Sequence, residues 1–225
     1  MNRIATTLSL ALAIGGAPAL AAPAPCQEFE ELFMSLEQNA TDGDTEVVFF
    51  AKTVTDGLQK LQVTAPNGRQ VAKFGGDKRT IGIREFVLES AEPSDVNLVL
   101  DSFPEGAYLY RGKTVEGDCV EGEADLSHTL APATTLLTPA PAAVVPLTEL
   151  LLSWSAVAGA ESYIVELNNE DTGSEFSFGV FPPTASLTIP AALLVAGSEY
   201  QFAVGVEMPD GNVTFVELAF FTAAP

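Results

Sequence analysis

From residue 149 to the end, apolar and polar positions alternate in short runs broken by turn residues, the period expected of half-buried strands. In 149–155 the residues Leu150, Leu152 and Trp154 share one face, as do Tyr163, Val165 and Leu167 in 162–168. Further strands are predicted over 175–181, 185–189, 199–207 and 213–222, with Asp171-Thr172-Gly173, Pro182-Pro183 and Pro209-Asp210-Gly211 as turns. In 199–207 the inward face is Tyr200, Phe202, Val204 and Val206. The spacing is that of a seven-strand sandwich.

The first half carries a mixed pattern. Residues 46–54 and 58–65 read as strands joined at Asp56-Gly57, and Pro66-Asn67-Gly68 turns the chain into 69–74. Residues 107–115 and 119–130 form a hairpin about Glu116-Gly117-Asp118. Residues 81–91 fit strand or helix, and 94–102 reads as a helical turn capped by Ser94. Phe29, Leu32, Phe33 and Leu36 recur at i, i+3, i+4 and i+7, which predicts a short amphipathic helix over 27–38. The expected fold class is all-β with minor helices: two immunoglobulin-like antiparallel β-sandwiches.

Residues 1–21 have the basic start, apolar run and Ala19-Leu20-Ala21 ending of a signal peptide, with cleavage expected after Ala21. The apolar run is shorter than a bilayer span, and no later segment is long and apolar enough to insert, so the mature chain is expected to be exported, periplasmic or secreted, without membrane insertion. Domains are expected at 22–131 and 132–225. Pro132, Pro139, Pro141 and Pro146 keep the segment between the halves extended, either as a free linker or, over 134–138, as an irregular first edge strand.

Trp154, Gly159-Ala160, Tyr163 and the Leu194-to-Tyr200 approach to the sixth strand carry a resemblance: residues 139–223 are similar to a fibronectin type III domain. Ala196 and Ser198 stand where the family's tyrosine corner has proline or threonine, and the Arg-Gly-Asp tripeptide of adhesive members is absent. The whole mature chain also resembles uncharacterised bacterial exported proteins through Leu88-Glu-Ser-Ala-Glu-Pro93, Phe103-Pro-Glu-Gly106 and Ala124-Asp-Leu-Ser-His128. The resemblance implies a scaffold and brings no activity with it.

Charge narrows the partners. Residues 26–113 hold nine Lys and Arg against fifteen acids, whereas 114–225 hold fifteen acids and no cation. Such a surface repels nucleic-acid backbones and anionic headgroups, and leaves divalent cations, basic proteins or solvent as its company. A protein or polysaccharide partner is expected, not nucleic acid.

Cys26 and Cys119 are the only cysteines, and in an exported chain an even count favours a disulfide. Free thiols, or a metal pair with His128, are the alternatives. His128 is the sole histidine, and its place in an alternating run makes it a structural residue rather than a catalytic base. No phosphate-binding loop or zinc-protease helix occurs, so the chain reads as a non-enzyme without a cofactor. Asn39, Asp42, Asp44 and Glu46 place oxygen ligands at alternate positions and form a candidate calcium site, without the glycine and distal glutamate of a full EF-hand loop. Asn39-Ala-Thr41 and Asn212-Val-Thr214 match the glycosylation sequon. Phe176, Phe178 and Phe181, with Phe215, Phe220 and Phe221, would make an apolar docking face if outward, or core if inward. The expected role is binding or spacing at the cell envelope or beyond. An accessory or small carbohydrate-active hydrolase and a calcium-stiffened adhesin are the rivals.

Overall fold

The computed structural model describes residues 25–53, 57–77 and 79–225; the signal-peptide reading and Asp56 lie outside them. Among the described residues, fifteen strands form three sheets around two apolar interiors.

The first interior lies between a four-stranded sheet and part of a larger one. The smaller sheet contains β3 (Leu58–Thr64), β4 (Gln70–Gly75), β6 (Gly106–Thr114) and β7 (Cys119–Leu126), in the order β4-β3-β6-β7. Facing it are β1 (Glu31–Asn39), β2 (Thr45–Lys52) and β5 (Glu85–Glu89). The helix expected over 27–38 is strand β1. Its sequence also has period two, and pairing with β2 along eight residues decides between the readings: Leu32, Met34 and Leu36 turn inward while Phe33 stacks on Phe50 outside, centroids 4.7 Å apart. The ambiguous 81–91 contains β5, which pairs with β2. The expected helical turn is α1 (Val96–Ser102), capped by Asp95 rather than Ser94, since Asp95 Oδ1 accepts from Asn97 N at 3.1 Å.

In the second sandwich, β10 (Leu150–Trp154), β13 (Ser186–Ile189) and β8 (Leu136–Thr138) form one sheet. The other holds β11 (Ser162–Asn169), β12 (Ser174–Val180), β14 (Glu199–Glu207) and β15 (Val213–Thr222). The proline-rich segment is no free tether: it supplies β8 and β9 (Val144–Val145), the latter parallel to the end of β15. Trp154 and Tyr163 meet edge to face at 5.4 Å, and Tyr200 is buried in the same interior against Phe220. The Tyr200 hydroxyl accepts from Val195 N at 2.8 Å, the upstream backbone bond of a tyrosine corner. The first sandwich has an analogous tie that its sequence did not disclose, Tyr108 Oη donating to Pro104 O at 2.9 Å.

The two sandwiches share a sheet. Strand β15 is ten residues long, and β9 occupies only the last part of its outer edge, so the first part is free to pair elsewhere. Residues 37–39 of β1 take it in parallel, Glu37 beside Val213, Gln38 beside Thr214 and Asn39 beside Phe215. The resulting sheet runs β12-β11-β14-β15-β1-β2-β5 from one sandwich into the other.

Candidate functional site

Two features lie on this seam: a buried clasp on one side and an acidic cleft on the other. The clasp is Asn212, in the turn between β14 and β15, with 0% of its surface exposed. Its Oδ1 accepts from Leu36 N at 2.7 Å, and its Nδ2 donates to Ser127 O at 3.0 Å and Thr129 O at 2.8 Å. One side chain thereby joins β1, the segment after β7 and the second sandwich. Buried backbone groups require partners, and here a side-chain amide supplies three. The sequon at Asn212 is therefore committed to packing, since a glycan on Nδ2 would take one of its two donor hydrogens and a fully buried side chain leaves the sugar no room.

The cleft has a volume of about 280 Å³ and is lined by Glu37, Asp44, Glu46, Glu92, Glu166 and Glu217, with Asn39 and Phe215 among them and no cation. Strand alternation puts Glu37, Glu46, Glu166 and Glu217 on the outer face of the shared sheet, and Asp44 and Glu92 join them from the segments flanking β2 and β5. Burial pushes Glu46 up to about 7, reinforced by Glu92, Glu89, Glu37 and Asp44. One of its oxygens, Oε2, is buried without a hydrogen-bond partner. Burial likewise raises Glu37, Asp44 and Glu166 above the usual carboxylate range, with neighbouring acids adding to the effect.

Of the candidate calcium ligands, Asn39, Asp44 and Glu46 line this cleft and Asp42 does not. Asn39 Oδ1 accepts from Thr41 N at 2.9 Å and Asp42 Oδ1 from Asp44 N at 3.4 Å, so the alternating oxygens that suggested a metal loop shape the turn itself. Among the described residues, no three His, Cys, Asp or Glu side chains are placed to hold a metal ion together. Two of the acids that join Glu46, Glu166 and Glu217, come from β11 and β15, more than a hundred residues away, and no local motif announces them.

The floor of the cleft depends on one glycine. A Cβ on Gly205 of β14 would lie 2.6 Å from Phe215 Cε1 and 2.9 Å from Val213 Cγ1, so the Phe215 ring lies across a strand that must be bare there. Gly205→Ala is expected to destabilise the chain by about 1–3 kcal/mol, the usual cost of overpacking, read as a lowered urea midpoint. An unchanged midpoint would mean the ring is not held there.

Elsewhere, Cys26 and Cys119 are disulfide-bonded, tying the start of the described chain to β7. His128 Nε2 lies 2.7 Å from Phe103 O and His128 N donates to Glu105 Oε1 at 2.6 Å, both structural contacts. Phe220 is fully buried, and Phe176 and Phe178 are half-buried against the second interior rather than outward. Phe181, 69% exposed, faces solvent.

No family model matches this chain, and no curated protein matches it. Among solved structures it is similar to the FN1–FN3 domains of chicken CNTN1, at 12% identity over 89% of this chain and 66% of that one, just under two thirds of its length, with a TM-score of 0.37. A two-domain fibronectin type III segment of chicken tenascin matches at 11% identity over 85% of this chain and 97% of that one, TM-score 0.32. A bacterial ice-binding adhesin of 1.5 MDa matches at 10% identity over 87% and 66%, TM-score 0.30. None of these carries an activity or a partner over to this chain.

Proposed function

We propose that the chain is a non-catalytic binding or spacing protein acting outside the cytoplasm, in which two sandwiches, divided near residues 131–132, are held as one stiff unit. The observation that carries this is the shared sheet: the pairing of β1 with β15, locked by Asn212, replaces the flexible linker expected between such domains. A stiff unit keeps its two ends at a fixed separation and presents its outer faces in a fixed relation, which a spacer or a bivalent binder requires. The disulfide supports an oxidising compartment. Small-angle scattering tests the stiffness. The mature chain is expected to give a single compact profile at all salt concentrations, and a distribution of interdomain angles would refute the reading.

The rival reading is a small carbohydrate-active enzyme, favoured by one observation: a glutamate raised to about 7 beside other carboxyl groups in a cleft is the arrangement acid–base chemistry uses. Hydrolysis of oligosaccharides that disappears in Glu46→Gln would establish it. We expect no turnover.

A further inference from the structure

The outer face of the four-stranded sheet is basic. In its register Lys60 of β3 stands directly opposite Lys113 of β6, and Gln62 stands between Lys73 of β4 and Arg111 of β6. All five side chains are exposed, since Leu61, Val63, Tyr108 and Tyr110 take the inward positions of β3 and β6. The chain has thirty acids against ten Lys and Arg. Yet of these four cations only Arg111 has an ion-pair partner among the described residues, Glu121 of β7 at 2.8 Å. Lys60 and Lys113 are left as a like-charge pair across two strands, which opposes the pairing of those strands.

The opposite side of the same sandwich is acidic. The outward positions of β1, β2 and β5 hold Glu31, Glu37, Glu46, Glu85 and Glu89, and the cation that these strands place among them is Lys52, 3.9 Å from Glu31. Through the middle of this face runs the cross-strand row Phe33, Phe50, Val87. Phe33 is 40% exposed and Val87 53%, so an apolar strip lies open between carboxylates. The two outer faces of one sandwich point in opposite directions, and here they carry opposite charge.

We propose that the basic face is a docking surface for the acidic face of a second copy of this chain, so that copies stack first sandwich on first sandwich. The cations find there the carboxylates that their own sheet lacks. Their apolar stems cover Phe33 and Phe50, and the charged heads gain from the ring faces. The contact is heterologous: each copy gives one face and receives on the other, so stacking repeats along a line rather than closing as a pair. Copies that are acidic overall repel one another until they approach within about 10 Å, the screening length at about 0.1 M salt, which keeps the contact weak. Dilute chains therefore stay single and concentrated ones stack. The proposal goes beyond the stiff-unit reading and does not need it, because both faces belong to the first sandwich.

Sedimentation equilibrium of the mature chain tests this. In about 0.1 M salt the weight-average mass is expected to rise at least twofold between about 20 µM and about 1 mM chain. In about 1 M salt, where the screening length is about 3 Å, it should stay at that of one chain. Two variants at exposed positions each reverse one face: Lys60→Glu with Lys113→Glu, and Glu85→Lys with Glu89→Lys. Each alone should remain single at about 1 mM. The second variant is the sharper test, because it lowers the net negative charge and would strengthen any association made elsewhere on the surface. Mixed in equal amounts the two should associate, since each retains the face that the other has reversed. A single chain at every concentration, association unmoved by high salt, or undiminished association of Glu85→Lys with Glu89→Lys would overturn the proposal. So would retention of single chains on immobilised polygalacturonate that is lost in Lys60→Glu with Lys113→Glu, which would give the basic face to an acidic polysaccharide.

Discussion

Reduction of the Cys26–Cys119 bond is expected to destabilise the first sandwich by about 3 kcal/mol and lower its melting midpoint by roughly 10 °C. The bond spans 93 residues, so opening it restores a large amount of freedom to the unfolded chain. It also frees the segment that covers the edge of β7. There Gln27 N donates to Cys119 O at 2.9 Å, Glu121 N donates to Gln27 O at 2.9 Å, and Phe29 and Leu32 lie over Gly122. Gly122 is suited to that contact, since a Cβ there would be 2.7 Å from Leu32 Cδ2. Calorimetry with and without reductant, alongside a double Cys26→Ser, Cys119→Ser variant, measures the effect. Identical midpoints would show that the clip does not stabilise the fold.

Asn212→Ala is expected to cost about 2–4 kcal/mol, because it leaves the buried Leu36 amide, and the part-buried Ser127 and Thr129 carbonyls, without their partner. Asn212→Asp separates the roles. It keeps an acceptor for Leu36 but sets a carboxylate against two carbonyl oxygens, so it should be at least as damaging. Urea denaturation followed by the Trp154 fluorescence and by far-ultraviolet dichroism reads both variants. If the clasp joins the sandwiches, the two probes should separate in Asn212→Ala, the second sandwich unfolding on its own. Coincident, unshifted transitions would deny Asn212 that role.

The second sandwich was legible in the sequence because its strands alternate cleanly and each inward face is read locally. Trp154, Tyr163 and Tyr200 are buried where the alternation puts them, and Leu136–Thr138 is the edge strand expected within 134–138. Strand β1 was not legible, since Phe29, Leu32, Phe33 and Leu36 fit a helix as well as Leu32, Met34 and Leu36 fit a strand. Only the partner strand β2, supplied by tertiary structure, decides. The seam was hidden for a deeper reason. Its pairing joins residues 37–39 to 213–215, and Asn212 resembles a modification sequon rather than a clasp when read in one dimension. The acidic cleft follows the same rule: Asp44 and Glu46 are visible as a local pair, and Glu217 and Glu166 join them only once β15 is set beside β1, with β11 beyond β14 in the same sheet.

The central claim is that one sheet passes through both sandwiches. Backbone nuclear Overhauser contacts across the seam test it most directly, in the mature chain at pH 5. Contacts linking residues 37–39 with residues 213–215 in parallel register, and a single rotational correlation time for both sandwiches, are the predicted result. Absence of those contacts, with the two halves tumbling at different rates, would contradict it.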